Sequence, residues 1–277
     1  MNRSSAAPAL LLVGLALLAL SGCDRRPAVA TGEILTTRTL GLAYLEENRL
    51  TEAETAFRRL TELAPDEPLG FANLGLVYLR QGSYEEAEGS IRRALDLDPS
   101  DPDVRLLLAK VLELTDRVAD ARPLLEGTLS NTPAHLKSLY ALAQLPTDAD
   151  GPGARARRAE YLDRLVALAP ANVTARLLLI EALLESDKPD DALAHLEQLH
   201  AQIPVLPPQA VTFFDQAVER MRAGRTAEAL RPMLILSNFL RATGLYQAGV
   251  SALEGPGGVL IGFPIVTLSQ TVAEHQS

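Results

Sequence analysis

The sequence has no tryptophan, and aromatic residues make up only 4% of it. A sheet core draws on aromatic and β-branched side chains, so this shortage favours stacked helices that pack Ala against Leu. Cysteine is nearly absent as well: Cys23 stands alone, which excludes an internal disulfide. Positive charge is in deficit, with 26 Lys and Arg against 35 Asp and Glu and a net charge of −9. No basic block occurs, and that excludes nucleic acid as the main partner. Catalytic signatures are missing too: there is no phosphate-binding glycine loop, nucleophile elbow or His-Glu-x-x-His pattern. Of the four histidines, His195 and His200 share one predicted helix. They are turned roughly 140° apart around its axis and do not readily chelate one ion. His135 and His275 stand singly, and all four read as surface residues. The acidic pairs Glu46-Glu47, Glu85-Glu86 and Asp190-Asp191 read as solvated faces or helix starts. Asn172-Val173-Thr174 fits a glycosylation acceptor by coincidence. The expectation is a chain with no catalytic residues, no metal site and no cofactor.

What the sequence does contain is a period. Leu40-Gly41-x-x-Tyr44, Ala53, Phe57 and Pro65 return 34 residues later as Leu74-Gly75-x-x-Tyr78, Ala87, Ile91 and Pro99. Leu108-Ala109-x-x-Leu112, Ala121, Leu125 and Pro133 follow at the same spacing. Apolar residues at i, i+3 and i+4 predict helices over 33–48 and 51–64, and the later copies repeat that plan. Leu40, Ala43 and Tyr44 are expected on the packed face of the first helix, with Gly41 admitting its partner closely. The fourth copy breaks at Pro146, where a loop is predicted, and resumes as a helix over 154–169 ending at Pro170. That break inserts three residues, a change a surface turn absorbs cheaply. A fifth copy carries Leu179-Ile180-x-x-Leu183, Ala192, Leu196 and Pro204. A sixth spans residues 208–244, with Gly224 at its turn and Pro232 either bending its second helix or forcing a start near Arg231. This series resembles the tetratricopeptide repeat, a helix-turn-helix unit that stacks into a solenoid. The resemblance implies an all-α, right-handed superhelical solenoid of five to six repeats over 33–244, followed by a non-repeat tail over 245–277.

The two ends differ from the array. Residues 9–20 form an uncharged apolar run after Arg3, too short for a membrane span and placed like a secretory signal. Leu20-Ser21-Gly22-Cys23 follows, and it resembles the lipobox of bacterial lipoproteins. By that resemblance, 1–22 is a signal peptide, Cys23 is acylated, and 23–32 is a tether. Two or more acyl chains hold a domain stably on a membrane. By further resemblance to enterobacterial sorting, Asp24 favours the periplasmic face of the inner membrane over the outer membrane. At the other end, 245–253 predicts one more short helix, and 259–266 is an apolar, extended-looking stretch. The helix over 230–240 is apolar on most sides and needs cover, from the tail folding back or from a partner. Residues 253–264 also resemble the segment that follows such arrays in larger bacterial proteins with a propeller domain.

In the family, the concave face lined by the first helix of each repeat receives extended peptides or helices. Projecting the repeat places Leu35, Arg38, Leu42, Leu45, Leu69, Ala72, Leu76, Leu79 and Lys110 along that groove. Arg38 and Asn73 suit the carboxylate clamp of some members, but Leu42, Asp103 and Leu107 replace its other donors. The expected partner is therefore a protein offering an apolar peptide or helix, with the membrane engaged through the N-terminal lipid. The implied function is a membrane-anchored docking scaffold or adaptor of the cell envelope. The alternatives are an accessory module whose propeller or enzymatic domain is on another chain, or an assembly factor for secretion, pilus or outer-membrane machinery.

Overall fold

The computed structural model describes residues 31–146, 152–203 and 206–254. The signal peptide, Cys23, the tether and the tail from 255 onward lie outside the described residues. Twelve helices form six consecutive pairs. They are α1 (Thr31–Glu46) with α2 (Leu50–Leu63), α3 (Pro68–Gln81) with α4 (Tyr84–Leu97), and α5 (Pro102–Leu114) with α6 (Val118–Asn131). Next come α7 (Leu136–Gln144) with α8 (Pro152–Leu168), α9 (Val173–Glu185) with α10 (Pro189–Gln202), and α11 (Pro208–Arg222) with α12 (Thr226–Arg241). A thirteenth helix, α13 (Gly244–Glu254), follows. Each of the first twelve helices packs chiefly on its sequence neighbours, and α3 with α5 and α5 with α7 touch directly. This is the contact pattern of an all-α solenoid.

Residue choice explains how closely the pairs approach. A Cβ at Gly41 would fall 2.8 Å from Phe57 Cε1, and one at Gly75 would fall 2.5 Å from Ile91 Cγ1. The third pair carries Ala109 at the same register, where Leu125 replaces the stiffer or bulkier side chain opposite. The turn within every pair but the fourth uses one residue in the left-handed region: Asn48, Gly82, Asp116, Asp187 and Gly224, with φ between 57° and 78°; the turn of the fourth pair lies outside the described residues. The next residue's N–H reaches back five positions, as in Arg49 to Tyr44 O (2.8 Å), Ser83 to Tyr78 O (2.9 Å) and Arg117 to Leu112 O (2.7 Å). That bond caps the first helix and sets the angle of the second. Gly, Asn and Asp are the residues that tolerate this backbone best.

Two expectations are refined. The second helix of the sixth pair does not start near Arg231: α12 begins at Thr226 and runs through Pro232. Proline leaves the carbonyl of Glu228 without its helical donor, and Arg220 Nη1 donates to that oxygen at 3.0 Å instead. Leu40, expected on a packed face, is 47% exposed, whereas its register mates Leu74, Leu108, Leu142 and Leu179 are buried. Each of those helices has a preceding pair stacked against it, and α1 opens the described array.

The apolar α12 is covered as its composition demands. Leu230, Met233, Leu236 and Leu240 are buried, and α12 packs on α11 and α13. The decisive feature is the course of α13: it turns back after α12 and packs on α9 and α7. None of the described helices is long and apolar enough to cross a membrane.

Candidate protein-docking groove

Repeat register defines the inner rows of the array. Leu35, Leu69, Asp103, Lys137 and Thr174 occupy one row, and Leu42, Leu76, Lys110, Gln144 and Glu181 another, at steps of 34 residues and 37 across the three-residue insertion in the fourth repeat. Helix α13 identifies the face these rows share, because it sits on Thr174, the last member of the first row, while Glu181 of the second is held by Ser237 and Arg241 at the end of α12. Thr174 Oγ1 donates to the carbonyl of Tyr246 at 2.7 Å, and Asn172 Nδ2 donates to that of Gly249 at 3.1 Å. Gly249 makes the approach possible, since a Cβ there would lie 2.5 Å from Thr174 Oγ1. Glu181, 1% exposed, accepts both oxygens' worth of hydrogen bonds from Arg241 Nη2 (2.9 and 2.8 Å) and one from Ser237 Oγ (2.6 Å). Arg241 Nη1 also donates to the Tyr246 hydroxyl at 3.1 Å. A charge buried this deeply is tolerable only when paired and hydrogen-bonded. Burial pushes the Tyr246 phenol above its ordinary pKa. The half of the concave face formed by α7 and α9 is thus already filled by this chain.

The other half is open and apolar. Leu35 is 53%, Leu42 40% and Leu69 46% exposed, and Leu76 is half-buried. Arg38 is half-buried and pairs with Glu67. The remaining residues expected in the groove are less accessible: Leu45, Ala72 and Leu79 belong to the buried core. Lys110 is 6% exposed, with its ammonium 3.2 Å from Glu113 Oε2. It also faces the end of α13, where burial raises the Glu254 pKa and the charge of Lys110 lowers it. Both residues compatible with a carboxylate clamp are engaged elsewhere, Arg38 with Glu67 and Asn73 with the carbonyl of Leu69 (2.9 Å). Asp103 separates the apolar rows from the filled half. It sits 3.4 Å from His135 Nε2 and 2.8 Å from Lys137 Nζ, and the hydrogen bond from His135 is the main reason its pKa falls well below the usual carboxylate range.

Three descriptions of the tetratricopeptide repeat match the sequence, over residues 41–82, 72–135 and 173–198. The chain is a tetratricopeptide-repeat protein. Solved structures share the fold of this tetratricopeptide array at low sequence identity. PilF of Pseudomonas aeruginosa is 17% identical, covering 78% of this chain and 96% of its own, with a TM-score of 0.57. PilW, described as a widely conserved type IV pilus biogenesis factor, is also 17% identical, covering 78% of this chain and 97% of its own, at 0.53. MamA is 15% identical, covering 63% of this chain and 98% of its own, at 0.52. No curated protein matches the sequence.

Elsewhere in the tetratricopeptide array, the histidines are more engaged than surface positions imply. His135 Nδ1 lies 2.7 Å from Ser138 Oγ, and His200 stacks on Phe214 with ring centroids 4.3 Å apart. His195 is half-buried beside Arg176 Nη1 at 3.2 Å. Burial first, and the Arg176 charge second, lower its pKa. An open cleft of about 590 Å³ between α8, α9 and α10 is lined by Arg157, Glu160, Asp163, Lys188, Asp191 and His195. Among the described residues, no group of three or more His, Cys, Asp or Glu could hold a metal ion. The Asn172-Val173-Thr174 triplet has structural work instead: Asn172 Oδ1 accepts the Ala175 N–H (2.9 Å) as the α9 cap, and Thr174 is buried under α13. Sequence reasoning missed the role of Asn172, Thr174, Glu181, Arg241 and Gly249. The one available signal was Glu181, a carboxylate inside the otherwise apolar run of α9.

Proposed function

We propose that this chain is a lipid-anchored docking scaffold of the bacterial cell envelope. It holds an apolar peptide or helix of a partner protein on the concave face of α1, α3 and α5. The observation that carries the reading is the exposed row of Leu35, Leu42 and Leu69 beside a groove half that already holds a helix. A row of exposed leucines on one concave face is costly to leave in water, and its burial by a partner contributes about 25 cal/mol per Å². The buried face of α13 supports this side of the array as the one that accepts such a segment. Binding would combine docking in this groove with confinement to a surface through acylated Cys23, which raises the effective concentration near membrane partners. The periplasmic side of the inner membrane is the favoured location on account of Asp24. No catalysis is assigned to the chain. The fold likeness to PilF and PilW supports a more specific second reading, a role in assembling a pilus or a related envelope machine.

The test is crosslinking and pull-down from membranes with wild type and Leu42→Glu/Leu69→Glu. Both sites are solvent-exposed, so the variant keeps its helical circular dichroism and melting profile. Loss of one specific partner supports the groove, and an unchanged partner set refutes it. Fractionation of Cys23→Ala tests the anchor: the variant is expected in the soluble fraction, and retention on membranes sinks that part.

A further inference from the structure

The filled half of the groove says something about the open half. Helix α13 leaves α12 and meets Asn172 and Thr174 at the start of α9. It then packs on α7, and its last residue, Glu254, comes within reach of the Lys110 charge on α5. Along its length it therefore travels down the repeat order, from the fifth pair toward the third. Leu253 is fully buried just before the helix ends, so the chain is still pressed into the concave face where α13 stops. What lies ahead along that course is the exposed apolar row of Leu42, Leu69 and Leu35.

The sequence that follows matches this surface. Residues 255–258 read Gly-Pro-Gly-Gly, which ends a helix, and residues 259–266 read Val-Leu-Ile-Gly-Phe-Pro-Ile-Val. No Asp, Glu, Lys or Arg occurs between 255 and 273. The reach is sufficient. Helix α5 touches α3, and Arg80 of α3 donates to the Leu45 carbonyl of α1 at 3.0 Å; packed helix axes lie about 8–10 Å apart, so α5 to α1 is roughly 20 Å. A dozen extended residues span up to roughly 40 Å. The chemistry also excludes an easier site: an uncharged run of this kind gains nothing at the cleft lined by Arg157, Glu160, Asp163, Lys188 and Asp191.

We propose that the resident occupant of the open half-groove is this chain's own segment 259–266, laid across α3 and α1 as the continuation of α13. This deepens the docking reading, because it rests on the same concave face. It adds that an external partner reaches the leucine row by displacing the segment. The tether makes that competition stringent, since an attached segment acts at an effective concentration in the millimolar range.

The test uses the purified full chain carrying Cys23→Ser, so that two introduced cysteines are the only thiols. Leu42→Cys/Ile261→Cys is expected to form an intramolecular disulfide under mild oxidation. The yield should exceed tenfold that of the control Glu62→Cys/Ile261→Cys, whose first site lies on the outer helix of the same pair. Adding Phe263→Glu and Leu260→Glu to the crosslinking pair should reduce the yield to the control level. Yield equal to the control overturns the proposal. So does a crosslinked dimer whose amount rises with protein concentration, which assigns the groove to a second copy. Because no partner is present, failure here leaves the membrane pull-down result standing. Conversely, success here with an unchanged partner set removes the external partner and keeps the self-docked segment.

Discussion

Replacing Gly249 by alanine tests the docking of α13 with one methyl group. The added Cβ would stand 2.5 Å from Thr174 Oγ1 and 2.8 Å from Asn172 Oδ1. Neither oxygen retreats freely. Thr174 Oγ1 is committed to the Tyr246 carbonyl, and Asn172 Oδ1 caps α9 through the Ala175 N–H. Overpacking of this kind costs about 1–3 kcal/mol. Separation of the two surfaces also forfeits the hydrogen bonds to Tyr246 O and Gly249 O, worth about 1 kcal/mol each. Alanine returns up to about 1 kcal/mol through helix propensity. A net loss of about 2–4 kcal/mol from α13 docking corresponds to an opening equilibrium roughly 30- to 900-fold more favourable. Hydrogen–deuterium exchange with mass spectrometry reads this directly. Peptides covering 244–254 should exchange faster by about that factor, while peptides of α3 and α4 keep wild-type protection. Unchanged protection of α13 would mean the helix is not seated as described. An equal loss across all helices would mean that α13 holds the entire array together, which is equally contrary to the reasoning.

Three further outcomes follow from other contacts. Arg241→Met leaves buried Glu181 without its counter-charge and should cost about 3–5 kcal/mol in urea denaturation. Glu181→Leu/Arg241→Met should recover much of that loss, and no recovery would show that the ion pair is not the issue. Gly89→Ala meets nothing within 4 Å inside α4, so it should stabilise the chain by up to about 1 kcal/mol, seen as a higher urea midpoint. His195 has a folded pKa below its ordinary 6.5, because of burial and the Arg176 charge, with Asp163 and Asp191 opposing. As pH falls through 6.5 the unfolded chain takes up the proton first, so stability falls on acidification and is unaffected above that pH. His195→Gln should therefore show a smaller drop in urea midpoint between pH 7.5 and 5.5 than wild type, and equal drops would refute the assignment.

The parts of this fold that were legible in the sequence are those in which each contact is local. Gly41 against Phe57 and Gly75 against Ile91 sit within one repeat, so a 34-residue period exposes them. Pro146 marked the early end of α7 at Gln144 for the same reason, while the loop predicted after it lies outside the described residues. Register alone also projected the leucine rows of the open half-groove. It could not decide depth: Leu45 and Leu79 belong to the buried core, and Lys110 is enclosed with its ammonium on Glu113. The filled half was illegible because its contacts join residues 56 to 77 positions apart that obey no period. Gly249 carries no signal of its own within the helix predicted over 245–253, and Asn172 and Thr174 looked like a chance acceptor triplet. Each acquires meaning only when the other is known to lie opposite.

The return of α13 also divides the chain in its folding and its mechanics. Pair-by-pair stacking uses contacts close in sequence, which form quickly and in any order. The cluster of Asn172, Thr174, Glu181, Arg241 and Tyr246 closes a loop of some seventy residues, so it pays its closure entropy after the pairs it joins exist. A nascent chain would therefore stack from the α1 end first and lock last. Once locked, the distal pairs are cross-braced by a strut, whereas α1 to α5 remain a spring free to change curvature. Tension applied at the α1 end would be absorbed by that spring while the braced portion moves as one block.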